Sequence, residues 1–449
     1  MRKLKDILDT PCKLFCKGAT TDIPFDGVLI YQNRTVIFIG RTEHGFHCLD
    51  MDNVHFTLWG DVGATPITLL NTQIMSDGPT FNTVEGSKNH FIKFSPAEII
   101  IGRKYQCTEA EILITKISAN IQILNKMFSS ETVDLVYDFS KEHPALVNYT
   151  FPAPITATDN TDTLSIFQTI GLGSSDNKIE VPLIPCIEYT FNQNASIRTG
   201  ISTLASVRNL FSFFANGYIP LKNLSFADNQ SPHREFCDNA IYLNSINEIE
   251  SSEERFLIMT DDFLDNFNEV WAKWCAFYSK KYIPTLFYEF ICNKNLRINK
   301  FLNFAQAVEI FSNHYRNKEA QKIAIKNGWK INTNRPLPLK FRIEEIITFL
   351  NEFFQLSPEE ISRLVQILSN ARNFFTHYNE KDGKYVIPSF QELSAAGRVL
   401  HFMLLALVYR YISLDDSVIK KASSRFSYGT ILDDIKTVLQ QKAGDDMYE

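Results

Sequence analysis

The sequence predicts an α+β protein of two domains. A β-rich sandwich or distorted barrel occupies residues 1–259, and an all-α helical bundle occupies 260–449. The hydrophobic period changes from about two residues to about 3.6 near residue 260. The formal charge splits at the same place: 20 Lys+Arg against 29 Asp+Glu before it, and 25 against 22 after it. The length of 449 residues suits two to four independently cored domains.

The first domain is built from short β-branched and aromatic runs. Gly27–Tyr31, Arg34–Ile39, Val54–Trp59 and Ile67–Leu70 come first, separated by Gln32-Asn33, Gly40, Gly45 and Gly60-Asp61, residues that punctuate hairpins. Phe91–Phe94, Glu111–Thr115 and Ile187–Phe191 continue the pattern, and many short strands with polar turns point to an antiparallel architecture. A single helix interrupts them at Thr203–Phe214, with Asn216-Gly217 as its stop signal. Arg255–Met259 reads as the last strand. Thr260-Asp-Asp then opens the bundle as a capping hydroxyl followed by acids. Helices are expected near Asp262–Tyr278, Leu286–Cys292, Lys300–Tyr315, Ile343–Phe354, Pro358–Tyr378, Ser389–Ser413 and Tyr428–Gln441.

Several classes are excluded by composition. The first ten residues carry charges without an apolar run, so no signal peptide is expected. The longest apolar stretch, Val399–Tyr409, is too short to span a membrane, which predicts a soluble, cytoplasmic protein. Eight cysteines without an export signal read as reduced thiols. Cys12 and Cys16 lack the second pair that a zinc finger needs, and His44, His47, Cys48 and His55 read as hairpin and turn residues. No metal and no cofactor is expected.

The segment Pro358–Tyr378 is the informative one. With Ile361 as the origin on a helical wheel, Leu364, Val365, Leu368 and Phe375 fall within about 60° of it, while Arg363, Gln366 and Asn370 fall opposite. Arg372 lies at about 20°, inside the apolar stripe. An arginine keeps its proton and is costly to bury without a partner. Either its stem lies on the core with the head at the edge, or the guanidinium is held there for an anion such as a phosphate. His377 follows five residues later, about 140° away on an ideal helix. The two side chains converge only if the helix unwinds near Asn379 or if a second copy brings its own pair to the same cleft. Seventeen arginines and nine histidines give about 0.3 such pairs by chance, so context has to decide.

Arg372-Asn-Phe-Phe-Thr-His377, late in a helical C-terminal domain, resembles the R-x4-6-H signature of the HEPN superfamily. Asn373 matches the polar residue common after that arginine, and the helices at Phe301–Phe311 and Val399–Tyr409 are similar in placement. The whole layout resembles ApeA-like anti-phage proteins, in which a β-rich domain precedes a HEPN domain. Ile67–Leu69, Ser196–Gly200, Asn223–Phe226 and Asp261–Phe267, followed by Trp271 and Trp274, carry that likeness. The resemblance implies a metal-independent endoribonuclease that dimerises through its helical domain. It also implies transfer RNA as substrate, abortive anti-phage defence, and a phage-derived trigger sensed by the N-terminal domain.

The residues suit that chemistry. RNA supplies its own 2′-hydroxyl nucleophile, the His377 imidazole is able to accept or donate the proton, and Arg372 is able to hold the crowded phosphorane. A 2′,3′-cyclic phosphate is the expected product. Asn373 is suited to orienting either partner or to a helix-end hydrogen bond. Between Asn313 and Ile343 eight basic residues face a single acid, Glu319. Lys322, Lys326, Lys330 and Arg335, with Tyr315 and Trp329 nearby, are the candidate RNA contacts. Glu309 reads as an exposed structural glutamate beside Ala305, Gln306 and Asn313, and Glu359-Glu360 as first-turn acids. The competing reading is a non-catalytic dimerisation or RNA-binding scaffold with a β-domain sensor. A solitary monomer with Arg372 tied to a local carboxylate, far from His377, would overturn the ribonuclease.

Overall fold

The computed structural model describes residues 4–18, 21–43, 55–77, 81–82, 88–121, 124, 132–137, 145–150, 153–159, 161–170, 173–175, 178–180, 183–228, 239–243, 256–280, 282–292, 297–331, 336–377, 389–426 and 430–440. It divides into two compact units. The first is Met1–Asn125, Ser130–Arg208 and Pro220–Glu250, and the second is Lys126–Ser129, Asn209–Ile219 and Ser251–Glu449. The architecture is α+β, with a β-rich N-terminal region and a helical C-terminal one.

The first seven strands are β1 (Pro11–Cys16), β2 (Ile23–Gln32), β3 (Thr35–Thr42), β4 (Phe56–Val62), β5 (Thr65–Asp77), β6 (Phe81–Asn82) and β7 (Lys88–Ser95). Six of them close an antiparallel barrel in the order β1-β2-β3-β7-β5-β4, because the second half of β5 pairs with β7, with Ile74 opposite Phe94. Alternating burial explains the closure. Cys12, Leu14 and Cys16 point inward from β1 to meet Phe25, Phe38, Leu58, Leu69 and Phe94, all buried. Gly40 and Gly60, expected in turns, lie instead within β3 and β4. A Cβ on Gly60 would come 2.0 Å from the Lys13 carbonyl, and one on Gly40 2.7 Å from the Phe38 ring, so these glycines allow tightly curved strands to approach. The turns themselves fall at Asn33-Arg34 and Gly63, all with positive φ.

From the first half of β5 the sheet runs on through a second set of strands. These are β8 (Glu98–Ile101), β9 (Leu113–Asn120), β12 (Ile155–Asp159), β13 (Asp162–Ile170), β16 (Leu183–Ser196), β17 (Lys222–Asp228) and β18 (Asn239–Leu243), in the order β8-β18-β17-β9-β16-β13-β12. Two separate hairpins pair β10 (Thr132–Tyr137) with β11 (Ala145–Thr150) and β14 (Gly173–Ser175) with β15 (Lys178–Glu180). Cys12 and Cys16 are free and buried, and burial pushes each thiol up to about 12. His44, His47 and Cys48 lie outside the described residues, and His55 is exposed.

The expected interrupting helix is α1 (Ile197–Phe214), longer than predicted and closed by Asn216 at φ 51°, where Gly217 N donates to Ser212 O at 3.0 Å. Its last residues belong to the helical unit. Phe213 meets Trp274 at 5.6 Å, Phe214 meets Phe263 at 5.2 Å, and the Tyr409 hydroxyl donates to Phe213 O at 2.6 Å. Phe256–Ile258 is not a strand. Leu257 N and Ile258 N donate to Phe214 O instead, so this segment also joins the helical core. Thr260 does not cap a helix. It begins a short 3-10 turn whose preceding N–H, on Met259, is accepted by the Asp262 carboxylate at 2.9 Å.

The remaining helices are α2 (Phe267–Tyr278), α3 (Tyr282–Cys292), α4 (Arg297–Tyr315), α5 (Asn317–Lys326), α6 (Leu339–Phe349), α7 (Asn351–Phe354), α8 (Pro358–His377), α9 (Phe390–Tyr411), α10 (Asp416–Phe426) and α11 (Ile431–Leu439). Helices α5 and α10 were not expected. Both are short and polar overall, with narrow stripes of only two or three small or branched buried residues, Ala320 and Ala324 in one and Val418, Ile419 and Ala422 in the other. Helix α9 is capped by Ser389 and is buried along most of its length against α4, α10 and α11. By length and composition it would reach across a membrane, but 78% of that window is buried, as in a core helix. Its His401 is stacked on Phe304 at 4.1 Å, and burial pulls the imidazole well below its ordinary value of 6.5.

Candidate functional site

Helix α8 supplies the candidate pair. It starts with a capping box in which Ser357 N donates to Glu360 at 2.8 Å and Glu360 N donates back to Ser357 at 3.2 Å, so Glu360 is a first-turn acid. Leu364, Val365, Leu368, Ala371, Phe374 and Phe375 are buried, and Arg363 and Gln366 are exposed. Arg372 lies at the margin of this stripe, 27% exposed, with its stem on the core and its head in an open cleft of about 750 Å³. Helices α4, α6 and α8 line the cleft, among them Gln306, Glu309, Asn313, Arg342, Arg372 and Phe375.

The guanidinium of Arg372 is not without a partner. Its Nη2 donates to Glu309 Oε2 at 3.2 Å, and Nη1 makes a long contact of 3.4 Å with Asn373 Oδ1. The expectation of an exposed, structural Glu309 is therefore corrected. Its neighbour Ala305 is buried, and Glu309 itself is half-buried at 31% and faces Arg372. Both partners keep contact with water, and such pairs contribute about 1 kcal/mol or less. Asn373, half-buried, is held beside Arg372 by chain adjacency.

His377 is the last residue of α8 and is exposed, with no hydrogen-bond partner among the described residues. The helix is unbroken from Arg372 to His377, and Thr376 Oγ1 donates to Arg372 O at 2.7 Å. Asn379, near which unwinding would be needed, lies outside the described residues. His377 does not line the cleft, and one chain does not assemble Arg372 and His377 into a single centre. Within one chain, two parts of the arrangement that would overturn a ribonuclease are present, the carboxylate tie and the separation.

The basic segment divides by burial. Lys318, Lys322 and Lys326 recur every four residues on α5, within about 80° of one another, and all three are exposed, as are Lys330 and Lys340. Arg335 lies outside the described residues. Arg316 is committed elsewhere. Its Nε donates to Glu345 at 2.8 Å, and its guanidinium lies over the Phe349 ring at 3.5 Å. Tyr315 turns into an aromatic cluster with Phe277, Phe311 and Tyr411, whereas Trp329 is 43% exposed beside the lysines. Arg342, counted with the surface bases from sequence, is buried and lines the cleft. Among the described residues no group of three or more His, Cys, Asp and Glu could hold a metal ion.

Two family models match this chain. One, described as ApeA N-terminal domain 1, covers residues 16–274, more than half of the 449 residues. The other, described as Apea-like HEPN, covers residues 302–418, from α4 into α10, and so includes the whole cleft and the Arg372–His377 segment. No curated protein and no solved structure matched the chain.

Proposed function

The chain belongs to the ApeA family, and from that membership we propose that it is a metal-independent endoribonuclease, acting on transfer RNA in abortive anti-phage defence. The coarser part rests on the HEPN match itself, since HEPN domains are generally ribonucleases and the family is an anti-phage one. The finer part rests on one observation: Arg372 lines an open cleft and, among the described residues, is balanced there only by a half-exposed carboxylate. In this reading His377 moves the 2′-hydroxyl or leaving-group proton. Arg372 holds the phosphorane, Asn373 orients it, and the product ends in a 2′,3′-cyclic phosphate. Because Arg372 and His377 lie about 140° apart on a straight helix, the working centre takes Arg372 from one subunit and His377 from its twin. The exposed Lys322, Lys326 and Lys330, with Arg335, draw the RNA backbone in. The β-rich unit, on the acidic part of the chain, receives a phage-derived trigger, and the protein works in the cytoplasm without a cofactor.

The Arg372–Glu309 tie and the displaced His377 favour a second reading, in which the helical unit is a non-catalytic dimerisation and RNA-binding scaffold. Expression of wild type, Arg372→Ala and His377→Ala, followed by mapping of RNA termini, separates the two. The ribonuclease predicts growth arrest and cyclic-phosphate ends from wild type under its trigger, and neither from the two variants. Wild type without new RNA ends at toxic expression levels would leave only the scaffold.

A further inference from the structure

The cleft that Arg372 lines holds a second guanidinium. Arg342, near the start of α6, is only 4% exposed yet forms part of the cleft wall. Its Nη1 and Nη2 donate to Asn317 Oδ1 and Asn313 Oδ1, each at 3.2 Å, and longer contacts reach Leu337 O at 3.4 Å and Ser312 Oγ at 3.5 Å. All four acceptors are neutral, and two of the contacts are beyond good hydrogen-bond length. Among the described residues, no carboxylate lies within ion-pair distance of Arg342. The Glu309 charge reaches it only through space. An arginine does not escape burial by losing its proton, so a buried guanidinium with only neutral partners favours an anion beside it.

Glu309 is the sole acid among the described lining residues, against two arginines, so the cleft carries a net positive charge. It is also the more replaceable partner, being half-exposed and joined to Arg372 by a single 3.2 Å contact. Gln306 and Asn313 add amide groups on the same wall. A tetrahedral monoanion with several acceptor oxygens would satisfy both guanidiniums at once, which a single carboxylate does not.

We infer that this cleft is a subsite for an RNA backbone phosphate, with Arg342 as its fixed contact and Glu309 as an internal counter-ion that the phosphate replaces. The inference deepens the proposed function and rests on its RNA-binding part, not on cleavage. Unliganded, Glu309 holds Arg372 in a neutralised pair. Once a phosphate enters, Arg372 is released to it beside Arg342, whose neutral contacts stay in place.

The test measures binding of a 2′-O-methyl oligoribonucleotide, which has no free 2′-hydroxyl to attack, by fluorescence anisotropy at two salt concentrations. The full-length chain is used with Glu309→Gln, Arg342→Gln and Arg342→Lys. Glu309→Gln is expected to bind about five- to tenfold more tightly, because the competing charge is gone. Arg342→Gln is expected to bind about tenfold more weakly, with the salt slope reduced by about 0.7, the contribution of one single-strand phosphate contact. Arg342→Lys should fall between. Glu309→Gln decides the matter alone should Arg342→Gln fail to fold. Unchanged or weaker binding by Glu309→Gln overturns the inference, as does absence of binding by wild type. Lowered melting of the Arg342 variants with unaltered affinity also overturns it, since a purely structural arginine behaves that way. Tighter binding by Glu309→Gln without RNA cleavage by wild type would remove the nuclease and keep the subsite. Cleavage without any binding change would do the reverse.

Discussion

Replacing Phe214 by alanine tests whether the end of α1 belongs energetically to the helical unit. Its side chain is fully buried between Phe211, Phe263 and Tyr409, with ring centroids at 5.8, 5.2 and 6.3 Å, and its carbonyl accepts from Leu257 and Ile258. Truncating a buried phenylalanine costs about 3–5 kcal/mol, the sum of lost transfer energy and an unfilled cavity. Against a domain stability of about 5–15 kcal/mol that is a large fraction. With a urea m-value of about 2 kcal/mol/M, the unfolding midpoint should fall by about 2 M. Trp271 and Trp274, buried in α2 of the same unit, report the transition by fluorescence. A fragment beginning at residue 260 lacks Phe213, Phe214 and Leu257 and should show no cooperative transition. A midpoint within 0.5 M of wild type, roughly a quarter of the shift expected for a core phenylalanine, would refute this packing argument.

Burial, reinforced by Glu109 and opposed by the Asn71 hydrogen bond, raises the Glu98 carboxyl to about 7 from its ordinary 4.5. The folded state then keeps a proton that the unfolded chain has lost. Stability should fall as pH climbs through that interval, and Glu98→Gln should flatten a plot of melting temperature against pH. His401 works in the opposite sense. Its depressed value means the unfolded chain protonates first, so stability is lost as pH falls through 6.5, and His401→Phe should remove that loss in acid melting curves. Combined Lys322→Glu, Lys326→Glu and Lys330→Glu should leave melting within about 0.5 kcal/mol of wild type. The same variant should reduce the salt slope of RNA binding by about 2, at roughly 0.7 per lost contact, and an unchanged slope would place the RNA elsewhere.

The two periodicities made the β-rich and helical regions legible, because alternation and a 3.6-residue stripe are local properties of the chain. What was lost depends on distant neighbours. Gly40 and Gly60 look like turn residues until barrel closure brings Phe38 and Lys13 against them. Phe214 reads as part of the β region but packs with Tyr409, almost two hundred positions further on, and Leu257 N donates to the Phe214 carbonyl. In the site, the wheel placed Arg372 inside an apolar stripe from α8 alone, whereas the structure puts it at the margin, 27% exposed. Its ion pair with Glu309 joins residues 63 positions apart, and no helical pattern announces such a contact. Arg342 shows the same limit from the other side. In a run of eight bases it resembles a solvated charge, and only the packing of α4 and α6 withdraws it from water.

The central claim is that Arg372 and His377 act together across two subunits, and mixing inactive variants tests it most directly. Arg372→Ala and His377→Ala chains are unfolded together, refolded, and assayed for 2′,3′-cyclic phosphate ends on a defined RNA. If each centre takes its arginine from one chain and its histidine from the other, half the dimers carry one intact centre of two. About a quarter of wild-type activity should then return. A mixture as inactive as either variant alone would contradict the shared centre, and variants that cleave like wild type would remove these residues from the chemistry altogether.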